Sequence, residues 1–217
     1  MRLNIPLQKY TQNIRILALA TLLFFLGAEG QVLQWSNPIK LKGAAVYTSV
    51  LGENQSGIYL LRYRNRFYSK NVIIEKYSHQ MVLQQSLVIE LKNARLLHIY
   101  AATKGLLVIK SKYAKIRGEN DILAQWYSYD FKRMGESVLL LSVPPNEMGS
   151  LGDLRLRVSD DLRTLSLLAL EESNKGDIII NHTLFDMNLR KLSHKKVELP
   201  YTYSSFLIRD ILVCNNL

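Results

Sequence analysis

From about residue 39 onward the chain alternates short apolar, β-branched or aromatic runs with clusters of Gly, Asn, Asp and Ser, which is the pattern of strands and tight turns. In Ile58–Phe67 the period is two: Tyr59, Leu61, Tyr63 and Phe67 share one face, and Arg62, Arg64 and Arg66 share the other. Three hairpins are predicted. Ala45–Leu51 and Ile58–Tyr63 flank Gly52–Gly57, Leu96–Ala102 and Leu106–Lys110 flank Thr103–Gly105, and Leu154–Val158 and Leu165–Leu170 flank Ser159–Asp161. A short lead strand precedes each hairpin, at Ile39–Leu41, Ile89–Leu91 and Leu139–Leu141, and Val197–Leu199 opens a fourth unit. Leu162–Glu172 also has a helix-compatible pattern, but its repeat partners read as strands and the repeat decides for strand.

The repeat is clearest where Asp121-Ile-Leu-Ala-Gln-Trp-Tyr-Ser-Tyr-Asp-Phe131 matches Asp177-Ile-Ile-Ile-Asn-His-Thr-Leu-Phe-Asp-Met187. Asn71–Tyr77 is a weaker copy. Units of about 50–58 residues with four short strands each describe blades of a β-propeller. One such sheet cannot bury both faces alone, so neighbours must stack. The predicted fold class is all-β: propeller-like repeats of four-stranded antiparallel blades, about three and a third of them, open or incomplete. The units start near residues 39, 89, 139 and 197, and the last is expected to stop at its first turn, as in the front part of a longer protein.

The N-terminus changes the address. Arg2, Lys9 and Arg15 lead into the apolar run Ile16–Leu26, and Ala28-Glu29-Gly30 offers small residues for cleavage. A run of about eleven apolar residues suits a signal peptide and is short for a bilayer span. Residues 1–30 are thus read as a signal peptide and 31–217 as the working domain, exported to the periplasm, cell surface or medium, with no stable membrane span after cleavage. Signal peptide, repeat unit and the closing elements Trp126–Phe131 and His182–Met187 together resemble the repeat-containing β-propeller proteins exported by Bacteroidota. The resemblance runs from about Ile39 to the end and implies a fold and an address, with no activity attached.

Composition narrows the function. The net charge is +10, and most of it stays after leader removal, which favours anionic surroundings such as polysaccharide, lipid headgroups or extracellular nucleic acid. The single cysteine, Cys214, excludes an internal disulfide. Asn54-Gln55-Ser56 and Asn181-His182-Thr183 match the glycan-acceptor pattern. Asp130 and Asp186 read as turn caps after a strand, and Asp121 and Asp177 likewise. The Arg62, Arg64, Arg66 row with Lys70 reads as a solvated sheet face, and Arg190-Lys191 with His194-Lys195-Lys196 as a solvated loop. His79, His98, His182 and His194 lack metal-ligand spacing, so no metal or other cofactor is expected, and no catalytic or ligand-binding residue is assigned. Trp126 reads as core rather than as a carbohydrate platform, and Pro144–Gly152 is the longest loop. The expected role is a non-catalytic interaction module for a protein or an anionic polysaccharide, with nucleic acid disfavoured. The alternative is the N-terminal part of a propeller-fold glycoside hydrolase or lyase, which would need carboxylates on its inner strands. The inner runs Ala45–Leu51 and Leu96–Ala102 have none.

Overall fold

The computed structural model describes residues 46–63, 70–145, 153–173, 175–202, 208 and 210–213, all within one compact unit, Ser36–Leu217. The leader, the lead strand Ile39–Leu41, residues 64–69 with Arg64, Arg66 and Phe67, most of the Pro144–Gly152 loop, and Cys214 lie outside the described residues. Every described element is a strand, and the strands form three four-stranded antiparallel meanders. The first contains β1 (Val46–Asn54), β2 (Gly57–Tyr63), β3 (Asn71–Tyr77) and β4 (Leu83–Glu90). The second contains β5 (Ala94–Ala102), β6 (Gly105–Ala114), β7 (Glu119–Tyr127) and β8 (Arg133–Val143). The third contains β9 (Asp153–Val158), β10 (Thr164–Glu172), β11 (Asp177–Asp186) and β12 (Lys191–Thr202). Repeated four-stranded sheets of this kind are propeller-like blades. Leu162–Glu172 resolves as turn and strand, as the repeat required.

The grouping differs from the sequence reading in phase. Ile89 and Glu90 end β4, Leu139–Leu141 lie in β8, and Val197–Leu199 lie in β12. Each is therefore the outer strand of the sheet before it, where the sequence reading made it the first strand of the next unit. A strand run shows its faces but not which neighbour it pairs with, and the links from β4 to β5 and from β3 to β4 are similarly short. Ile208 and Asp210–Val213, in the region of the expected fourth unit, lie outside any strand.

Two cores hold the sheets together. Tyr59, Leu61, Val72, Ile74 and Ile89 of the first sheet meet Ile99, Leu106, Val108 and Phe131 of the second. Leu107, Ile109, Ile122, Ala124 and Trp126 of the second meet Leu165, Leu167, Ala169 and Phe185 of the third. The middle sheet is thus apolar on both sides. This is why β6 reads as an unbroken run, Leu106-Leu107-Val108-Ile109: alternate side chains enter opposite cores. Much of β4 and β12 is exposed, whereas β8 turns Leu140 and Val143 into a core, and β12 carries Lys191, Lys195, Lys196 and Pro200, residues that discourage edge pairing.

One turn design recurs. Met81, Phe131, Leu162, Gly176 and Leu189 take positive φ, and each donates its N–H to the carbonyl three residues earlier, on Ser78, Ser128, Ser159, Ser173 and Asp186. The same five residues cap the turn with their side chains. Ser78 Oγ accepts from Val82 N–H, Ser128 Oγ from Lys132 N–H, Ser173 Oγ from Asp177 N–H, and Asp186 Oδ1 from Asn188 and Arg190 N–H at 2.9 and 2.8 Å. A left-handed residue other than glycine costs roughly 1–2 kcal/mol. Burial of Phe131 and Leu189 in the two cores offsets that cost.

Candidate functional site

The first strands of neighbouring sheets approach each other, since a Cβ added to Gly52 would stand 3.0 Å from that of Ala101. Both strands are bulged. The register slips between Val50 and Gly52 of β1 and between Leu96 and His98 of β5, leaving Leu51 and Leu97 as extra residues. A bulge bends its strand and re-aims side chains. Here both extra residues line a cleft of about 400 Å³ between the sheets. Ser49 and Val50 of β1, Tyr63 at the end of β2, Val72 of β3 and Leu91 complete one wall, and residues from Leu96 to Ala101 form the other.

The cleft mixes aliphatic side chains with polar groups, among them Ser49, His98 and the hydroxyls of Tyr63 and Tyr100. His98 and Tyr100 pack ring to ring, centroids 4.0 Å apart and tilted by 40°. The Tyr100 hydroxyl donates to the Leu156 carbonyl at 3.3 Å, tying β5 to the third sheet. Burial pushes its pKa up to about 12, against the opposing pull of the Arg157 charge, so the phenol stays protonated. None of the described lining residues is Asp or Glu. The volume lies in the range of small-molecule sites, and the aromatic pair with Tyr63 provides faces on which a flat or apolar ligand surface can stack.

The residues singled out in the sequence fall elsewhere, and several change role. Asp186 caps its turn as expected, but Asp130 does not. Ser128 occupies the capping place, and Asp130 is two residues further on, exposed, 3.6 Å from the Lys76 ammonium. The turn opens at Ser128 after Asp121 but at Asp186 after Asp177, so the matched sequence segments are two residues out of step with the turns. Burial pushes the Asp121 carboxyl up, but bonds from Arg117 and Ser142 Oγ and the charges of Arg117 and Lys112 together outweigh it and hold it below the usual range. Asp177 receives its own cap through its N–H.

Arg62 does lie on the face opposite Tyr59, Leu61 and Tyr63, but it is not solvated. It pairs with the buried Glu75, which also accepts from the Tyr77 hydroxyl at 3.0 Å. Alternation predicted the side and could not predict the cover. Of the Arg190–Lys196 tract, Arg190 ends the turn and Lys191–Lys196 lie in the outer strand β12 rather than in a loop. Trp126 is core, with the Lys104 ammonium 5.5 Å from its ring. Asn181-His182-Thr183 lies within β11 with Thr183 buried. Among the described residues no group of three His, Cys, Asp or Glu side chains is placed to hold a metal ion, and no helix is long and apolar enough to cross a membrane.

Of the cleft residues, only the strand runs that contain them were visible in the sequence. Their convergence depends on the bulges and on sheet stacking, neither of which has a local signature. Comparison of the chain with protein-family models, curated proteins and solved structures gives no match.

Proposed function

We propose that this chain is an exported, non-catalytic propeller-type interaction module that binds a protein or an anionic polysaccharide through the cleft between β1 and β5. The observation that carries the reading is the cleft itself: two facing bulged strands, an aromatic pair, and described walls without a carboxylate. The missing carboxylates favour binding over glycoside hydrolysis at this place, because that chemistry needs two of them. The net charge of +10 supports an anionic partner, and the N-terminal segment with its basic start and short apolar run supports export.

The test is a screen of the folded protein against acidic and neutral polysaccharides, with capture from envelope extracts in parallel. Ser49→Trp, which fills the cleft from an exposed position, serves as the control. Binding that Ser49→Trp abolishes while the melting curve is kept supports the reading. Binding unchanged by Ser49→Trp, or turnover of a polysaccharide, overturns it.

A further inference from the structure

The β6–β7 hairpin carries a feature that the cleft does not use. Its turn, Ala114-Lys115-Ile116-Arg117-Gly118, is closed by Arg117 and Gly118 N–H groups that donate to the Ala114 carbonyl at 3.1 and 2.9 Å, with Gly118 in the left-handed region. The tip is therefore preformed. At its apex Ile116 is fully exposed, at 102%, the highest exposure among the large hydrophobic residues of the described chain. Tyr113 is 46% exposed, and its hydroxyl leans over Gly118 toward the turn. Behind the apex stand Lys112, Lys115 and Arg117, all exposed. Arg117 is matched by Glu119 and Asp121. Among the described residues Lys115 makes no ion pair, and Lys112 stands opposite Asp121 in the hairpin, feeling its charge without coming within ion-pair distance.

Single apolar side chains are common on protein surfaces; what sets Ile116 apart is its place at the apex of a preformed turn with cations behind it. The order of groups, an aliphatic apex followed by an aromatic phenol and a collar of cations, matches the order met on entering an anionic bilayer: hydrocarbon innermost, interfacial layer, then phosphates. A polysaccharide offers the lysines a partner but leaves the isoleucine in water, whereas a lipid surface serves both. We propose that the β6–β7 tip docks on anionic lipid, with Ile116 entering the bilayer surface and Lys112 and Lys115 meeting headgroup phosphates. This contact is independent of the cleft and of what the cleft binds.

The test reads the tip locally, because the apolar run Ile16–Leu26 of the full chain will itself favour lipid. The full-length protein and its Ile116→Trp variant are mixed with phosphatidylcholine vesicles and with vesicles that also contain phosphatidylglycerol. The expected difference spectrum, variant minus parent, moves to shorter wavelength and is quenched by chain-brominated lipid on the anionic vesicles, and added salt reverses it. Lys112→Ala and Lys115→Ala each weaken that partitioning about fivefold, with unchanged circular dichroism melts. A difference spectrum that stays at its solvent position on anionic vesicles overturns the proposal. So does equal insertion into uncharged vesicles, which would leave the cations without a role. Capture of an envelope protein by the tip without any lipid shift also overturns it, and assigns the surface to a protein partner.

Discussion

The second and third sheets are the same meander with different second faces. In the second, Leu106 and Val108 point into one core and Leu107 and Ile109 into the other, so β6 has no polar side over these residues. In the third, Leu165, Leu167 and Ala169 pack on the second sheet, while the opposite face places Arg155, Leu168, His182 and Lys195 in one cross-strand row. Ser166 is bonded to His182 Nε2 at 2.8 Å beside that row. A blade packed between two neighbours must be apolar through its thickness, while a blade with one sheet neighbour can carry cations and a histidine on its other side. The first sheet follows the third, with Arg62 and Glu75 paired on the face turned away from the second.

The sharpest way to break this comparison is to place a charge in each second strand. Ile109→Asp buries a carboxylate in the dry core between sheets, which costs several kcal/mol, and the expected result is insoluble or unfolded protein. Leu168→Asp stands between Arg155 and His182 and should fold, with an unfolding free energy from urea titration lowered by no more than about 1–2 kcal/mol. Equal damage at both positions would mean that the outward face of the third sheet is as dry as the core.

The next effect separates the turns that enter the second strands. A Cβ on Gly105 would lie 2.2 Å from the Tyr127 carbonyl oxygen, and one on Gly57 would lie 2.1 Å from that of Tyr77, so backbone must move. Gly105→Ala should cost about 3 kcal/mol or more. The corresponding start of β10 is Thr164, whose buried hydroxyl has no partner among the described residues. Thr164→Ala should therefore be neutral or slightly stabilising. Denaturant midpoints for the two variants measure how far the third sheet has departed from the geometry of the others.

Smaller still is the loss of a turn cap. Asp186→Ala removes two bonds to backbone N–H groups and should cost about 1 kcal/mol. Asp130→Ala, the other half of the sequence pair, should change the unfolding free energy by less than about 0.5 kcal/mol, because the exposed carboxylate stands 3.6 Å from the buried Lys76 ammonium, which also faces the Tyr59 ring.

The smallest effect is a pH dependence of the third sheet. Burial, joined by the Lys195 and His194 charges, holds the His182 imidazole below its ordinary pKa. The unfolded chain therefore takes up this proton at higher pH than the folded one. Its contribution to stability is complete above the ordinary imidazole range, near pH 6.5, and is lost as pH falls toward the depressed folded value. His182→Gln should flatten the fall in urea midpoint on acidification. An unchanged slope would show that other groups set it.

Much of this molecule follows from local pattern. Apolar, β-branched and aromatic runs between turn clusters marked most of the strands, alternation in Ile58–Phe67 assigned Tyr59, Leu61 and Tyr63 to one face, and the repeat decided against a helix at β10. Turn residues marked the hairpins because Gly, Ser and Asp satisfy backbone groups over a few residues. Whether Ile89–Leu91 ends one sheet or begins the next depended on which edge was free to pair, and that is a nonlocal choice. The burial of Arg62 against Glu75, the capping role of Ser128 in place of Asp130, and the meeting of Leu51 with Leu97 in one cleft all depend on contacts between residues far apart in the chain or on a one-residue slip in register. A sequence specifies the faces of its strands because side-chain direction is set residue by residue. Only the folded chain decides what each face meets, because that is settled by how whole sheets stack.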